Sequence, residues 1–369
     1  MRLVVLLCLV AGSYAVPAHL IIDHGFLTMP PPRKWVGTNW SSVQNAIRDL
    51  LPDPGPLIGV DANDANMRYI SLKGEYTADI PLNLPSLVHF KLDGSVYGVP
   101  SGQVHHEASL VVTHGRFVSI TGGNYSCPRQ FNATEKTGIG ITCEHCNDTL
   151  IQNLTVSGCY DAGIRLDWPA AVEVRHVNSH SHNRGLWSSS PGSKVLVIDS
   201  HFHDNSADGV DLDVRSTNYM VKANIMERNG RAGVFIEEGA SNNMILDNTI
   251  VNNTHGIAFC TNQGDKYPGK FPNKDNWVVG NFLSANGKGG AVSFGPSEQA
   301  GVRVRTCYTG AADNVFFENR ISGNDFAWRI NGSVIGNSVL TSDTEDPRSR
   351  SSEQYGEGNI TFFAEPHFM

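Results

Sequence analysis

The chain has 369 residues, with 28 Lys and Arg against 36 Asp and Glu, a net charge of −8, and 37 glycines. So mild an acidity, with no basic patch to neutralise phosphates, excludes nucleic acid as a partner. After the N-terminus no run is long and apolar enough to span a bilayer, so no membrane partner is expected either.

Residues 1–15 read as a cleaved secretory signal. Arg2 supplies the positive start, Leu3 to Val10 the apolar stretch, and Ser13-Tyr14-Ala15 the small residues before the cut. The mature, secreted chain then starts near Val16. Eight N-x-S/T sequons suit that route: Asn39, Asn124, Asn132, Asn147, Asn153, Asn252, Asn331 and Asn359. Losing Cys8 with the signal leaves Cys127, Cys143, Cys146, Cys159, Cys260 and Cys307. An even set in an oxidising compartment points to disulfides. Fifteen pairings are open, with Cys260–Cys307 favoured as a long link because each residue borders or lies within an insertion. Zinc or redox chemistry at Cys143-x-x-Cys146 is the weaker alternative in a chain with no second such pair.

Residues 16–75 do not repeat. They hold an amphipathic helix near Ser41–Leu51, with Ser41 or Ser42 as its N-cap, and read as an N-terminal cap. Less regular strands follow near Leu87–Leu92, Leu110–Val112 and Phe117–Ile120. A glycine followed by an apolar residue then recurs at Gly140, Gly163, Gly185, Gly209, Gly233, Gly256 and Gly290, at spacings of 23, 22, 24, 24, 23 and 34. A polar marker runs in step at Asn153, His176, Ser200, Asn224, Asn248, Asn281 and Asn319. Between markers lie short, β-branched, alternating runs with Asn, Asp, Ser and Gly at the bends. Helical repeats would show helical periodicity, and leucine-rich repeats a leucine frame. The fold expected is all-β: a single-stranded right-handed parallel β-helix, a solenoid over 76–340, capped at its N-terminus. Insertions after Cys260 and Phe294 would wall a groove, and residues 341–369 form a polar tail.

Counting each coil glycine as zero, positions 1 and 3 are apolar and expected inward; positions 2 and 4 are expected outward and exposed. Position 2 reads Thr142, Arg165, Trp187, Asp211, Phe235, Ala258, Val292. Position 4 reads Glu144, Asp167, Ser189, Asp213, Glu237, Cys260, Phe294. With coils ~4.8 Å apart, Asp211, Asp213 and Glu237 converge, with Asp167 two coils away. Trp187 and Phe235 flank Asp211 and offer a seat for a sugar ring. Such carboxylates can share a proton, act as acid and base across a glycosidic bond, or bind Ca²⁺ through Asp167, Asp211, Asp213 and Glu237. In the last case the ion would neutralise a uronate while Arg165, Arg215 or Arg231 assists proton abstraction. The plain alternative is a solvated acidic surface. His180, His182, His201 and His203 are not expected to stack, because their 21-residue separations fall short of the coil repeat.

The pattern from about Gly138 to Asn337, with LNLPSLVHFKLDGSVYG upstream, resembles the pectin-lyase-like superfamily, which implies carbohydrate-active chemistry on a β-helix. Asn205-Ser-Ala-Asp208-Gly209-Val-Asp211 resembles the N-T-D-G-x-D signature of polygalacturonases, and Thr254-His255-Gly256-Ile257 their G-H-G motif. That likeness implies Asp208 as a catalytic carboxylate and His255 as an auxiliary. The Asp-Asp pair expected between them is replaced by Arg231-Ala232, and the later R-I-K motif is missing. The leading expectation is a monomeric extracellular lyase of an acidic polysaccharide. A glycoside hydrolase and a non-catalytic glycan-binding or structural β-helix are the alternatives.

Overall fold

The computed structural model describes residues 40–50, 68–98, 108–127, 138–260, 272–287, 290–294, 310–325, 328–330, 333–341, 352–354 and 358–364. Among them every strand pairing is parallel, forming one ladder of 20 strands and one of 11. A regular coil gives one strand to the shorter ladder, such as Asp208–Leu212, and two to the longer, Thr217–Lys222 and Ile225–Glu227. The alternating residues Val210, Leu212, Val234, Ile236, Ile257 and Phe259 point into the lumen and are fully buried, stacking into one continuous core.

The recurrent glycine has a steric cause. A Cβ at Gly209 would sit 2.7 Å from the carbonyl oxygen of Gly233 on the next coil, closer than real Cβ contacts allow. At the seventh coil the register is one residue later than the glycine pattern suggests. His255 pairs with Gly290 and Ile257 with Val292, so Ala291 holds the glycine position, Ser293 faces outward and Phe294 pairs with Phe259.

The polar series explains the stacking of the longer ladder. Asn224, Asn248, Asn281 and Asn319 form a buried column in which each side-chain oxygen accepts the backbone N–H of the preceding coil, at 2.9–3.1 Å. Parallel columns run through Asn205, Asn229, Asn253, Asn286 and Asn324 and through Asn243, Asn276, Asn314 and Asn337. Ser200 joins the first column, donating its backbone N–H to Asn224, but Asn153 and His176 do not. They occupy the left-handed position one residue earlier, with φ of 54° and 50°, a site shared with Asp199 and Asp247. The column positions on those two coils belong to Leu154 and Val177. The histidines also correct the expectation that they do not stack. His180 pairs with His203 across a 23-residue coil, their rings 4.8 Å apart, while buried His182 takes a column position and bonds to Asn205.

Asn248 accepts from Asn224 and donates to Val221 and Asn281. Asn248→Ala leaves a buried N–H and a buried carbonyl without these partners, so a loss of about 3 kcal/mol is expected in urea unfolding.

The helix spans Trp40–Leu50. Trp40 stacks on Tyr76 at 5.3 Å and meets Phe90 edge-on at 6.4 Å. The backbone N–H of Ser41 is received by Asp79, a residue from the coils, so the side chain satisfying the helix start comes from outside it. The strand Arg68–Thr77 pairs with Val88–Tyr97, so laddering begins inside the segment read as the cap. It also continues beyond residue 340: Ser352–Gln354 pairs with Trp328–Ile330, and Gly358–Ala364 with Ser333–Thr341. The polar run 341–358 had suggested a tail, yet Ser352–Gln354 within it and Gly358–Ala364 at its end resume strand pairing. Cys127–Cys159 and Cys143–Cys146 are disulfides, and Cys260 is disulfide-bonded, while Cys307 lies outside the described residues. So do residues 1–39, with the signal segment. Among the described residues no helix is long and apolar enough to cross a membrane.

Candidate active site

The shorter ladder brings the expected residues together. Trp187 and Phe235 pair with Asp211 from either side, as the coil spacing requires. Asp208 lies beside Ala232, which pairs with His255, so the two polygalacturonase-like positions share a column two coils apart. Position 4 holds Asp167, Asp213 and Glu237.

Exposure differs from expectation. Asp208 and Asp211 are 0% exposed, Glu237 1% and Asp213 8%; Asp167, Arg231, His255 and Phe235 are buried too. These side chains do face away from the lumen, but basic and aromatic groups of neighbouring coils close over them. Arg231 covers Phe235, its guanidinium 3.6 Å from the ring centre, so Phe235 is no open sugar platform. With Ala232, Ala258 and Cys260 it forms a second small apolar cluster outside the lumen. Trp187 is half-buried between Arg184 and Arg165, at 4.5 and 5.0 Å.

The arginines are held by carboxylates. Arg231 grips both oxygens of Asp208 and stands 3.6 Å from Asp211. Arg184 donates to Asp211 at 2.7 Å and to Asp161 at 3.0 Å. Arg165 pairs with Asp167 at 2.6 Å and with Ser189 at 2.9 Å. Although burial works against their charge, the adjacent carboxylates raise Arg184 and Arg231 above the ordinary arginine range. Asp208, bonded by Arg231 and by the N–H of Ala232, is an anchor rather than an open catalytic carboxylate. His255 bonds through Nδ1 to Ser293 at 2.8 Å.

Asp211 and Glu237 behave differently. Burial is the main cause raising Asp211, to about 8, with Arg184 opposing and Asp208 and Asp213 adding repulsion. Burial likewise raises Glu237 well above the carboxylate range, reinforced by Asp213 and Asp211 and opposed by Arg231 and Arg184. The Asp211 Oδ1 atom is buried without a hydrogen-bond partner. Asp213 accepts from Trp187 Nε1 at 3.3 Å and from the Val214 N–H at 2.7 Å. The site thus combines two buried carboxyls raised above the ordinary carboxylate range with a third, Asp213, that accepts two hydrogen bonds.

A raised carboxyl sets the sign of a pH effect. Protonated Asp211 contributes stability fully below its unfolded value near 4, and that contribution is lost as pH rises towards 8. Melting temperature should therefore decline between pH 5 and 8 more steeply for the wild type than for Asp211→Asn. Parallel slopes for the two proteins would refute this.

For a cation, the four expected ligands divide. Asp167 is taken by Arg165, Ser189 and Ser190, and Asp211 by Arg184. Asp213, Glu237 and the neighbouring Glu238 bring ligand oxygens within 4.8 Å of one another. Three hard carboxylates fit Ca²⁺ in donor type.

Sequence reasoning missed Arg184, Glu238 and Trp168. The first two sit directly beside residues it named. Trp168 is 50% exposed next to Asp167 and ends a stacked column with His145 and His114, at ring distances of 5.8 and 4.7 Å. The available signal was a ring directly after position 4 on two successive coils, His145 after Glu144 and Trp168 after Asp167.

Residues 139–304 match the family model of the right handed beta helix region. The fold is a right-handed parallel β-helix, as expected from the resemblance to the pectin-lyase-like superfamily. Among solved β-helices, the A-module of the Azotobacter vinelandii mannuronan C-5 epimerase AlgE6 aligns over 89% of this chain and 95% of its own, with TM-score 0.56 and 13% identity. An endo-xylogalacturonan hydrolase from Aspergillus tubingensis aligns over 89% and 99%, with TM-score 0.56 and 10% identity. A Thermotoga maritima exopolygalacturonase aligns over 80% and 84%, with TM-score 0.57 and 10% identity. No curated protein sequence matches the chain. At such identities the likeness of these β-helices is one of fold.

Proposed function

We propose that this protein is an extracellular enzyme cleaving an acidic polysaccharide, with Asp211, Asp213 and Glu237 as its acid–base group. The observation carrying this reading is the convergence of buried Asp211 and Glu237, both raised above the ordinary carboxylate range by burial, with hydrogen-bonded Asp213. Glycosidic hydrolysis needs such a pair: one carboxyl gives its proton to the leaving oxygen while the other, as anion, attacks or activates water. The Asp213–Glu237 approach, within 4.8 Å, lies nearer the ~5 Å of retaining pairs than the ~6.5–9.5 Å of inverting ones. Exposed Trp168, next to Asp167, supplies an aromatic face for a sugar ring. The similar β-helices named above for work on mannuronan and galacturonan-type chains support the substrate class by fold analogy.

Hydrolysis is favoured over elimination because Arg165, Arg184 and Arg231 are committed to carboxylates of this chain. The lyase reading draws support from the Asp213, Glu237 and Glu238 trio, which would hold Ca²⁺, and the ion would supply charge to neutralise a uronate. The purified protein should be incubated with pectins, alginates and glycosaminoglycans, with calcium or with chelator. New reducing ends without ultraviolet-absorbing products, unaffected by chelator, are the expected result. Unsaturated products that need calcium would establish the lyase instead, and inactivity across the panel would reject cleavage.

A further inference from the structure

On the longer ladder, away from the carboxylate cluster, a polar groove of about 690 Å³ runs along the early coils. Its floor is a column of glycines: Gly74 pairs with Gly94, and Gly94 lies beside Gly123 in the register that pairs Ser95 with Asn124. A Cβ added at Gly74 would meet nothing within 4 Å. A Cβ at Gly94 would instead run into the Gly74 carbonyl and one at Gly123 into the Leu92 side chain, so close packing keeps these two positions glycine, and the three lie on successive coils along a groove ~10–15 Å long. At its end stands Asn153, exposed, in a left-handed conformation. Asn153-Leu-Thr155 is a sequon, and both Asn153 and Thr155 line the groove. The walls (Asp93, Ser95, Asn124) offer donors and acceptors with no large apolar surface.

We infer that Asn153 carries an N-linked glycan and that the first sugars of that glycan lie in the glycine-floored trough, as a built-in part of the surface. A hydroxyl-rich chain tethered at one end of a polar, side-chain-free channel is the occupant that the lining fits. Asn147, half-buried at the start of the same strand, has no such channel. In the attachment step the Asn153 Nδ2 bonds to C1 of the first sugar of a lipid-linked oligosaccharide diphosphate. The C1–O bond breaks, the lipid diphosphate leaves, and one amide proton is lost to base. Folding then lays the sugars along Gly123, Gly94 and Gly74. This inference is independent of any catalytic role for the opposite face.

The test expresses the full chain in a eukaryotic secretory host and maps its glycopeptides by mass spectrometry. Asn153 is expected to be glycosylated in most molecules. Release of that glycan from the native protein by peptide N-glycosidase should be about tenfold slower than from Ser95→Trp or Glu75→Trp, whose indoles fill the trough without touching the sequon. Asn124→Gln should leave the protection intact. An unmodified Asn153 would overturn the inference, as would equal release from the wild type and the trough-filling variants. If neither variant is secreted, equal release from native and urea-unfolded wild type would overturn it as well.

Discussion

Arg231→Met is expected to cost about 3–5 kcal/mol of stability, because it removes one partner of a buried ion pair and leaves the other charge uncompensated. Asp208 is fully buried and Arg231 holds both its oxygens, while Asp211 and Glu237 face the same guanidinium. Without that cation the nearby carboxyls must take up protons or draw in water, and Phe235 loses the group lying on its ring. Adding Asp208→Asn should recover most of the loss, since the pair is then removed from both ends. The two proteins can be compared by urea unfolding. A single mutant within about 1 kcal/mol of wild type would show that the pair is far weaker than its burial implies.

Asp213→Asn is expected to lower cleavage of the substrate found in the panel by about a hundredfold or more, roughly 3 kcal/mol of transition-state stabilisation. The amide keeps the size and the contact with Trp187 but cannot serve as an anion. It also removes a charge that raises Glu237, so any residual activity should show its proton-donor limb shifted to lower pH. The folded state should be unharmed or slightly more stable, as repulsion is relieved. A folded variant with wild-type activity would take Asp213 out of the chemistry.

The coil period was legible because it has steric and hydrogen-bonding causes that act on single residues. The close approach at Gly209 admits no Cβ, and the column through Asn248 needs a side-chain amide. Alternation likewise placed Val210 and Leu212 inside and Asp211 outside the lumen. Where a residue merely preceded the column, as at Asn153 and His176, the pattern was one residue out, because left-handed bends and ladder positions both select polar side chains. The carboxylate cluster was legible as a meeting of Asp211, Asp213 and Glu237, but its burial was not. Period-two alternation says which way a side chain starts; whether Arg184 and Arg231 then reach across coils to cover it depends on long, rotatable chains that leave no period in the sequence.

The asparagine columns also bear on how such a molecule can change over evolutionary time. From Asn224 to Asn248 the chain travels 24 residues, from Asn248 to Asn281 33, and from Asn281 to Asn319 38, yet each step closes with the same amide contact of 2.9–3.1 Å. The scaffold does not register how much polypeptide is spent between rungs. Because the entropic cost of a longer excursion grows only logarithmically, about 0.6 kcal/mol per doubling, the segments between rungs can be lengthened, shortened or exchanged while the frame beneath them stays put. The length and content of those segments are thereby uncoupled from foldability. Excursions grafted after Cys260 or Phe294 should be tolerated so long as the next asparagine returns to its rung.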